Sequence, residues 1–476
     1  MPWGGETVMK FRQPTRRDVL RGAAATGAGL FAAANGFPVL AQDKAPDVPL
    51  PEAKAGTLTV IQRSEYFQQA QDLFRDIVAK FATDKGVALD ISTTNYEAFG
   101  DFVGKLTAAV KAGNPPDFAF TANASISQMT TLGLLEDVSD IVGEAEKRYG
   151  NVMTGLSAQK VGMIDGKWRA IPFLSATQGY FFRNDKLAEK GIDPKSIKTW
   201  SDIREAALAV SDPANNFWGW GVTPSHSGDG YTFLIRLVQS FLGHYTDETG
   251  TKVTFNSPET VAAFEWIKET FDRNGKYAPM LPPGIESWGD TSNNEAFAAG
   301  SIAFTLNAFS VYAQAKRENN PIFPNIVLLS APLASDGSSR EQGQVGGWLT
   351  IHTNAPNQAL ARELALTLLD PANFNQMSSV AGGLFMPAYE GLWTPELLAA
   401  DPNFATMKAI FSAPQSFIGY SWPANPNSAI DAIRAQGILE QGVATMLSGQ
   451  LSPADAVAET HQLIVDLFEQ GGLPQA

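Results

Sequence analysis

The 476-residue sequence predicts an α/β protein in which mostly parallel, doubly wound sheets are arranged in two lobes. Strand-like and helical patterns alternate along the first part of the chain, which favours sheets that are covered by helices on both faces. Two extended, largely apolar stretches further along interrupt this alternation and indicate crossings between lobes. A chain of this length also exceeds the usual size of one hydrophobic core, so two domains are expected, with one large domain as the alternative.

The alternation begins at Thr57–Gln62, which is strand-like. Apolar residues then recur at helical spacing over Phe67–Phe81, and Val87–Ile91 returns to a strand pattern. A second helix is predicted through Phe102–Val110, before the short strand Asp117–Phe120. These segments form consecutive β-α-β units, and strands that are connected in this way pair in parallel.

The later part of the chain contains the two predicted crossings, Ala170–Phe182 and Gly346–Ile351. Helix starts are indicated at Ser257–Glu259 and Ser452–Asp455, where a capping serine precedes a first-turn proline and an acidic residue. No repeat of the length typical of solenoids or propellers is visible. Two further strands are predicted, Ser301–Leu306 and Ile326–Leu329.

The composition excludes several classes of function. Lysine and arginine number 35 against 49 aspartates and glutamates, and the net charge of −14 is opposite in sign to a nucleic-acid footprint. The absence of cysteine removes disulfides, thiolate metal sites, iron–sulfur clusters and cysteine nucleophiles. The four histidines lie far apart in the sequence and form no metal-ligand spacing, so no metal or cofactor is expected.

Residues 1–41 are predicted to be an export signal. The basic stretch contains the paired Arg16 and Arg17 and precedes the uncharged run Gly22–Ala41, which is rich in glycine and alanine. The paired arginines and the apolar residues that follow them resemble the twin-arginine export motif. The alternative is a membrane anchor, but the uncharged run is too weakly apolar to favour a stable span.

Cleavage is expected after Ala41, and without a cysteine no lipid anchor can follow it. The exported protein is therefore expected to be freely soluble in the periplasm. Residues 42–55 are rich in proline, alanine and charge, which is typical of a flexible lead-in to the folded part.

The order of several longer segments resembles the extracellular solute-binding proteins of ABC importers, family 1, which includes sugar-binding members. Each segment alone occurs in many folds, and it is their order over nearly all of the chain after residue 41 that carries the resemblance. The segments are KLTAAVKAGNPPDFAF, GYFFRNDKLAEKGIDP, NEAFAAGSIAFTLNAF, VGGWLTIHTNAPNQALARELALTLL and MLSGQLSPADAVAE.

The resemblance implies a function in binding rather than catalysis, with a solute held between two lobes that close over it. The implied solute is a carbohydrate or polyol, which is delivered to the membrane permease subunits of the importer. Besides the solute, the expected partners are these subunits and the twin-arginine export machinery, and the protein is expected to be a monomer. The implied boundaries are 56–174 with 349–415 for the first lobe and 175–348 with 416–476 for the second.

The resemblance also places polar loop residues at the ligand cleft. Glu65 and Tyr66 follow the first strand, Asn123 follows the third, and Ser175 and Thr177 lie in the first crossing. Asn123 can donate and accept hydrogen bonds, which suits hydroxyl groups. Glu65 and Asn123 also have structural interpretations, as an acid at a helix N-terminus and as a helix cap. The loop at Asn123 lacks the charged and aromatic residues of the maltose-binding members, which argues against a maltodextrin.

Aromatic residues are the second group of candidates, because the C–H faces of sugars pack on flat rings. Trp288 and Trp348 stand beside glycines at the family's cleft positions, and Phe309 stands where the family commonly has a stacking tryptophan. Packing in the core is the ordinary role of such residues. The remaining candidates are Asn307, Gly347, Tyr420 and Trp422.

Two alternatives are kept open. A polyamine or another cationic solute could use Glu65, Asp229 and Asp290, whereas an anion would find chiefly Arg63 in the proposed loops. An exported glycoside hydrolase could use paired carboxylates such as Glu286 and Asp290. No recognisable catalytic motif supports this second alternative.

Overall fold

The computed structural model describes residues 56–94, 99–121, 125–412 and 419–475. The predicted export signal, the predicted lead-in and Asn123 lie outside these residues. The strands are β1 (Thr57–Arg63), β2 (Ala88–Thr94), β3 (Phe118–Thr121), β4 (Met163–Ile164), β5 (Lys167–Trp168), β6 (Ile171–Arg183), β7 (Trp218–Trp220), β8 (Ile302–Ala308), β9 (Ile326–Leu329), β10 (Gly343–Ile351) and β11 (Met386–Pro387). The helices are α1 (Gln68–Asp84), α2 (Phe99–Lys111), α3 (Ile126–Thr131), α4 (Ser139–Tyr149), α5 (Ala158–Gly162), α6 (Asn184–Glu189), α7 (Trp200–Val210), α8 (Gly228–Ser240), α9 (Pro258–Phe271), α10 (Ser292–Ala298), α11 (Ser310–Arg317), α12 (Gln358–Leu369), α13 (Pro371–Ala381), α14 (Pro395–Ala399), α15 (Pro402–Ser412), α16 (Ser428–Ala435), α17 (Ile438–Leu447) and α18 (Pro453–Gln470).

One mixed sheet runs through the described chain in the order β2-β1-β3-β10-β6-β8-β7, and β9 and β11 also pair with β6. β1 pairs in parallel with β2 and β3, and β7 pairs in parallel with β8. These pairs confirm the parallel arrangement that the β-α-β pattern predicts. The long strands β6 and β10 pair with their neighbours in the antiparallel sense, so the sheet is mixed at its centre.

The buried apolar side chains of the described residues form two separate cores within one compact unit. The first core includes Phe74, Phe120 and Leu364, and the second includes Trp220 and Phe233, all 1% exposed or less. Burying a side chain of this size stabilises the folded state by about 1.5–3 kcal/mol. We call the parts around these cores the first and second lobes, and they confirm the predicted two-lobed α/β fold.

Strand β6 joins the two lobes, which confirms the predicted crossing at Ala170–Phe182. It is 13 residues long, and the side chains of Ile171 and Phe173 lie in the first core. Further along the same strand, Tyr180 and Phe182 lie in the second core. β6 pairs with β10 through its first part and with β8 and β9 through its second part, so its backbone is hydrogen-bonded in both lobes.

The helix signals that were read from the sequence are present at the predicted places. The predicted apolar stripe of α1 supplies Phe74 and Phe81 to the first core. The side chain of Ser257 accepts a hydrogen bond from the backbone of Thr260 at the start of α9. Ser452 caps α18 in the same way. Among the described residues, no helix combines the length and the apolar composition needed to cross a membrane.

The predicted lobe boundaries stay predictions. They assign the whole of 175–348 to the second lobe, whereas Phe309 and Tyr312 pack within the first core. The ring of Phe309 lies 5.2 Å from that of Phe181, measured between centroids. A segment that follows β8 therefore reaches back to the first lobe.

A buried carboxylate ties strand β1 of the first lobe to the start of α12. Asp117 is 0% exposed, and its Oδ2 accepts hydrogen bonds from the backbone nitrogen and the hydroxyl of Thr59, both at 2.8 Å. The backbone nitrogen of Asn357 donates to Oδ1 at 2.8 Å, and Asn357 Nδ2 donates to Oδ2 at 3.1 Å. Both carboxylate oxygens are thus satisfied by donors from β1 and from the residue that precedes α12.

We expect Asp117→Asn to lower the free energy of unfolding by about 2–3 kcal/mol. The NH₂ group of the asparagine would face hydrogen-bond donors at a position where a carboxylate oxygen accepts in the parent protein. Urea denaturation measures this loss. Asp84→Asn is the control, since Asp84 lies exposed at the end of α1 and pairs only with Lys80 in the described structure. This control is expected to change stability by less than about 0.5 kcal/mol. Equal losses in the two variants would contradict the account.

The second lobe contains a buried acid that is only partly satisfied. The Glu440 side chain is 4% exposed, and its Oε2 has no hydrogen-bond partner among the described residues. Nδ1 of His226 lies 3.6 Å from Oε1. Burial raises the pKa of Glu440 to about 7, against the lowering effects of a backbone hydrogen bond and of the Arg434 charge.

The raised pKa of Glu440 predicts that the stability of the folded protein depends on pH. Because the pKa of Glu440 is higher in the folded state than in the unfolded state, its contribution to stability is complete below about pH 4.5 and is lost as the pH rises through about 7. We expect Glu440→Gln to stabilise the protein by about 1–3 kcal/mol more at pH 8.5 than at pH 5. Urea denaturation of both proteins at the two pH values tests this. A difference between the proteins that does not change with pH would refute it.

Candidate ligand-binding cleft

A cleft with a cavity volume of about 400 Å³ is lined by residues of both lobes. The first lobe contributes the loop between β1 and α1 and the start of α3, and the second lobe contributes α8 and α16. The crossing strands β6 and β10 also contribute to the lining. The cleft lies beyond the C-terminal ends of β1 and β3, where ligands of α/β sheets commonly bind. Its volume is within the range of small-molecule pockets.

Helix α8 forms much of the second-lobe wall. Asp229, Thr232, Arg236 and Gln239 line the cleft at spacings of three and four residues, which places them on one face of the helix. Leu237 lies on another face and is fully buried in the second core. The helical period therefore places packed side chains on one face of this short segment and polar side chains that border the cleft on another.

An ion pair follows β1 at the first-lobe wall. Arg63 Nε and Nη2 donate to the two carboxylate oxygens of Glu65 at 2.6 and 3.2 Å, and Nη1 donates to the carbonyl of Gly346 at 2.9 Å. The guanidinium lies 4.6 Å from the ring centroid of Phe120. Burial raises the pKa of Glu65, and the Arg63 charge opposes this shift. Glu65 thus lies in the cleft wall, and its carboxylate is already paired with Arg63.

The carbonyl that accepts from Arg63 is exposed by a bulge in β10. The register against β6 shifts between Val345 and Gly347, which leaves Gly346 out of the ladder. A Cβ atom at Gly346 would lie only 2.6 Å from the Cβ of Ala176, so the close approach of the two strands requires glycine here. At Gly347 a Cβ atom would meet the ring of Phe120 at 2.7 Å.

Two aspartates at the N-terminal end of α8 are held by neutral donors. The side-chain amides of Asn293 and Asn307 each donate to Asp229 Oδ2 at 2.9 Å. The backbone nitrogen of Asp229 donates to Asp290 Oδ1 at 2.8 Å. The positive end of the helix dipole stabilises negative charge at this position. Asn307 thus supports Asp229 from behind the cleft wall.

Arg236 is a cleft residue that sequence reasoning missed. It is 6% exposed and donates to the hydroxyl of Tyr180 and to Gln342 Oε1, each at 3.0 Å. Among the described residues, no carboxylate lies within salt-bridge distance of it. A guanidinium carries five N–H donors, so Arg236 has donors beyond these two contacts. One arginine within the apolar run of α8 was the signal in the sequence that could have identified it.

The structure brings together five of the twelve predicted site residues. These five line the cleft: Glu65, Tyr66, Thr177, Trp348 and Tyr420. Asn123 lies outside the described residues. The other six do not border the cleft: Ser175, Trp288, Asn307, Phe309, Gly347 and Trp422. Ligand contact itself stays a prediction for all twelve.

Internal packing explains why some of the predicted residues lie away from the cleft. The Ser175 hydroxyl donates to the carbonyl of Pro387, and Phe309 is 2% exposed within the first core. The backbone carbonyl of Trp288 accepts from Ser225, while its side chain packs against both cores. The ring of Trp422 lies 5.9 Å from that of His244.

The geometry does not place the two carboxylates of the hydrolase alternative in one site. Glu286 accepts two hydrogen bonds from Arg273, both at 2.7 Å, and does not line the cleft. Only Asp290 of that pair borders the cavity. In the described part of the chain, no cluster of three or more histidine, aspartate or glutamate side chains could hold a metal ion.

The chain matches the bacterial extracellular solute-binding protein family over residues 76–406. This match covers more than half of the chain, and the protein therefore belongs to that family. The members of the family are binding proteins.

Two bacterial relatives match part of the chain. A probable ABC transporter-binding protein of Deinococcus radiodurans is 24% identical over 258 residues, which are 52% of this chain and 58% of that protein. An arabinooligosaccharide-binding protein of Halalkalibacterium halodurans is 22% identical over 241 residues, 50% of this chain and 48% of that protein. The chain thus spans about half the length of these relatives.

A solved structure supports the fold over a larger part of the chain. An ABC transporter solute-binding protein of Thermotoga lettingae, bound to α-D-tagatose, superposes with a TM-score of 0.71 at 18% sequence identity. The superposition covers 87% of this chain and 99% of that protein. At this identity the likeness shows a shared fold.

We predict that the Arg63–Glu65 ion pair contributes to the stability of the folded protein. Because the Arg63 side chain is 12% exposed and that of Glu65 3% exposed, Glu65→Gln leaves a largely buried cation without its partner. We expect a loss of about 3 kcal/mol in the free energy of unfolding by urea denaturation. The double variant Arg63→Met with Glu65→Gln is the control and should regain at least half of that loss. A Glu65→Gln protein as stable as the parent would contradict this account.

Proposed function

We propose that this protein is the substrate-binding component of an ABC importer, which captures a carbohydrate or polyol between its two lobes and delivers it to the membrane permease. The relative with an ABC transporter role and the relative that binds arabinooligosaccharides support this proposal. The tagatose-bound structure of the same fold supports it as well. We further propose that the protein is exported in the folded state, works in the periplasm as a monomer and carries out no catalysis.

The observation that carries the proposal is the state of the charges in the cleft. Each carboxylate of the described lining already accepts hydrogen bonds from the protein: Glu65, Asp229, Asp290 and Asp431. A cationic ligand would therefore find no carboxylate without a partner. The hydroxyls of Thr177 and Thr232 donate to backbone carbonyls and can accept from a sugar hydroxyl, while the amide of Gln344 can both donate and accept. Tyr66 and Trp348 add aromatic surface to the lining.

Gln178 supplies a specific contact for a hydroxyl donor. It lines the cleft on β6, and its Oε1 is buried without a hydrogen-bond partner among the described residues. An acceptor that is left in this state costs free energy, which a ligand hydroxyl would recover by donating to it.

The experiment is a thermal-shift screen with tagatose, arabinotriose, ribitol and spermidine, followed by titration calorimetry of each solute that raises the melting temperature. A solute at one hundred times its dissociation constant stabilises the native state by about 2.7 kcal/mol. We expect stabilisation by a hydroxyl-rich solute and no reaction product by chromatography. Stabilisation by spermidine alone, or cleavage of arabinotriose, would overturn the proposal.

Gln178→Met is expected to weaken binding of the stabilising solute about tenfold, because one hydrogen bond to the ligand is lost and the side chain keeps its length. Gln462→Met is the matched control, since Gln462 is exposed on α18 and bonds to Asp466. Calorimetry with both variants measures the effect. Equal affinities for the Gln178→Met variant and the parent would remove Gln178 from the site.

A further inference from the structure

A single carboxylate in the cleft accepts hydrogen bonds from three hydroxyl groups. Ser127 Oγ donates to Asp431 Oδ2 at 2.7 Å, and Ser125 Oγ donates to the same oxygen. The hydroxyl of Tyr420 donates to Oδ1. All four residues line the cleft, and neither the family match nor the relatives assign a role to them.

The donors and the acceptor belong to different lobes. Ser125 and Ser127 flank Ile126 at the start of α3, and Ile126 is buried in the first core. Asp431 lies on α16 beside Ile430, which is buried in the second core. α3 and α16 are in contact. The hydrogen bonds from the two serines therefore cross the cleft and join its walls.

The geometry around Asp431 is prepared for this contact. The Ser125 hydroxyl also accepts a hydrogen bond from the backbone of Gln128 at 3.0 Å, and it lies 3.2 Å from the hydroxyl of Ser127, so both donors are positioned by the start of α3. Burial holds the pKa of Tyr420 well above its ordinary value, which keeps its hydroxyl a donor to Asp431. Hydrogen bonds to an ionised carboxylate are stronger than those between neutral groups.

We infer that Asp431 is a positioning residue for ligand capture, whose carboxylate holds the two lobes together by accepting hydrogen bonds from Ser125 and Ser127 across the cleft. A closed form that is stabilised in this way retains its solute longer, because the solute leaves after the walls separate. The effect on solute retention depends on the proposed function. The closure itself does not, and it is tested without any solute.

The direct test measures the distance between the lobes. The chain contains no cysteine, so Leu132→Cys and Leu463→Cys introduce two unique labelling sites. Leu132 is 48% exposed directly after α3, and Leu463 is 40% exposed on α18 of the second lobe. Spin labels at these sites report the distribution of lobe separations by double electron–electron resonance, without solute.

We expect Asp431→Ala to shift this distribution to longer distances. The Ser125→Ala, Ser127→Ala double variant should give the same shift, and the triple variant should add nothing, because all three changes remove one contact. Asp84→Ala removes an exposed negative charge from α1 and should leave the distribution unchanged. A distribution in Asp431→Ala equal to that of the parent, with both proteins folded by circular dichroism, would overturn the inference.

The second arm follows arabinotriose dissociation by stopped flow. Asp431→Ala and the serine double variant should both release it about tenfold faster, with little change in the association rate. Faster release in Asp431→Ala alone would make Asp431 a direct ligand contact and overturn the positioning role. If the parent does not bind arabinotriose, this counts against the proposed ligand class, and the distance measurement decides the inference alone.

Discussion

The architecture depends on one strand whose backbone is hydrogen-bonded in both lobes. A buried strand must satisfy its N–H and C=O groups along its whole length, and β6 does so with β10 in one part and with β8 and β9 in the other. Since each end also buries large side chains in a different core, the strand cannot leave either lobe without losing both pairing and burial. The segment between the ends, around Thr177 and Gln178, is thereby held at the cleft.

The second constraint is electrostatic. The cleft wall carries several charged side chains in partly or fully buried positions, and a charge in such a position is tolerated when hydrogen bonds or an opposite charge compensate for lost hydration. Arg63 compensates Glu65, the amides of Asn293 and Asn307 compensate Asp229, and hydroxyl groups surround Asp431. The cleft wall is therefore rich in polar groups, but each of these carboxylates already has a partner within the protein. Such a wall suits ligands whose own polarity comes from hydroxyl groups.

Much of the fold could be predicted because it depends on patterns formed by residues that are close together in the sequence. The strand at Ile326–Leu329 was placed correctly from its strand-like residues and the helix from Pro258 from its capping signal, and the crossing at β6 was recognised as an extended apolar stretch with a proline. The candidate site was predicted less well. Glu65 and Tyr66, which the family resemblance placed in the loop after the first strand, line the cleft. Phe309 was placed by its position in a family segment, yet its ring packs beside Phe181.

By itself, the sequence determined the class of fold, the order of its elements and the family, because periodicity, caps and segment order are properties of neighbouring residues. Tertiary structure alone decided which polar groups meet. Asp431 lies about three hundred residues from the serines that donate to it, and the sequence separations are 306 and 304. Arg236 and Gln342, which are 106 residues apart, come together only because α8 packs against the crossing strands. Local sequence patterns cannot predict these hydrogen-bonded pairs, because the pairs depend on how two separately packed cores are joined.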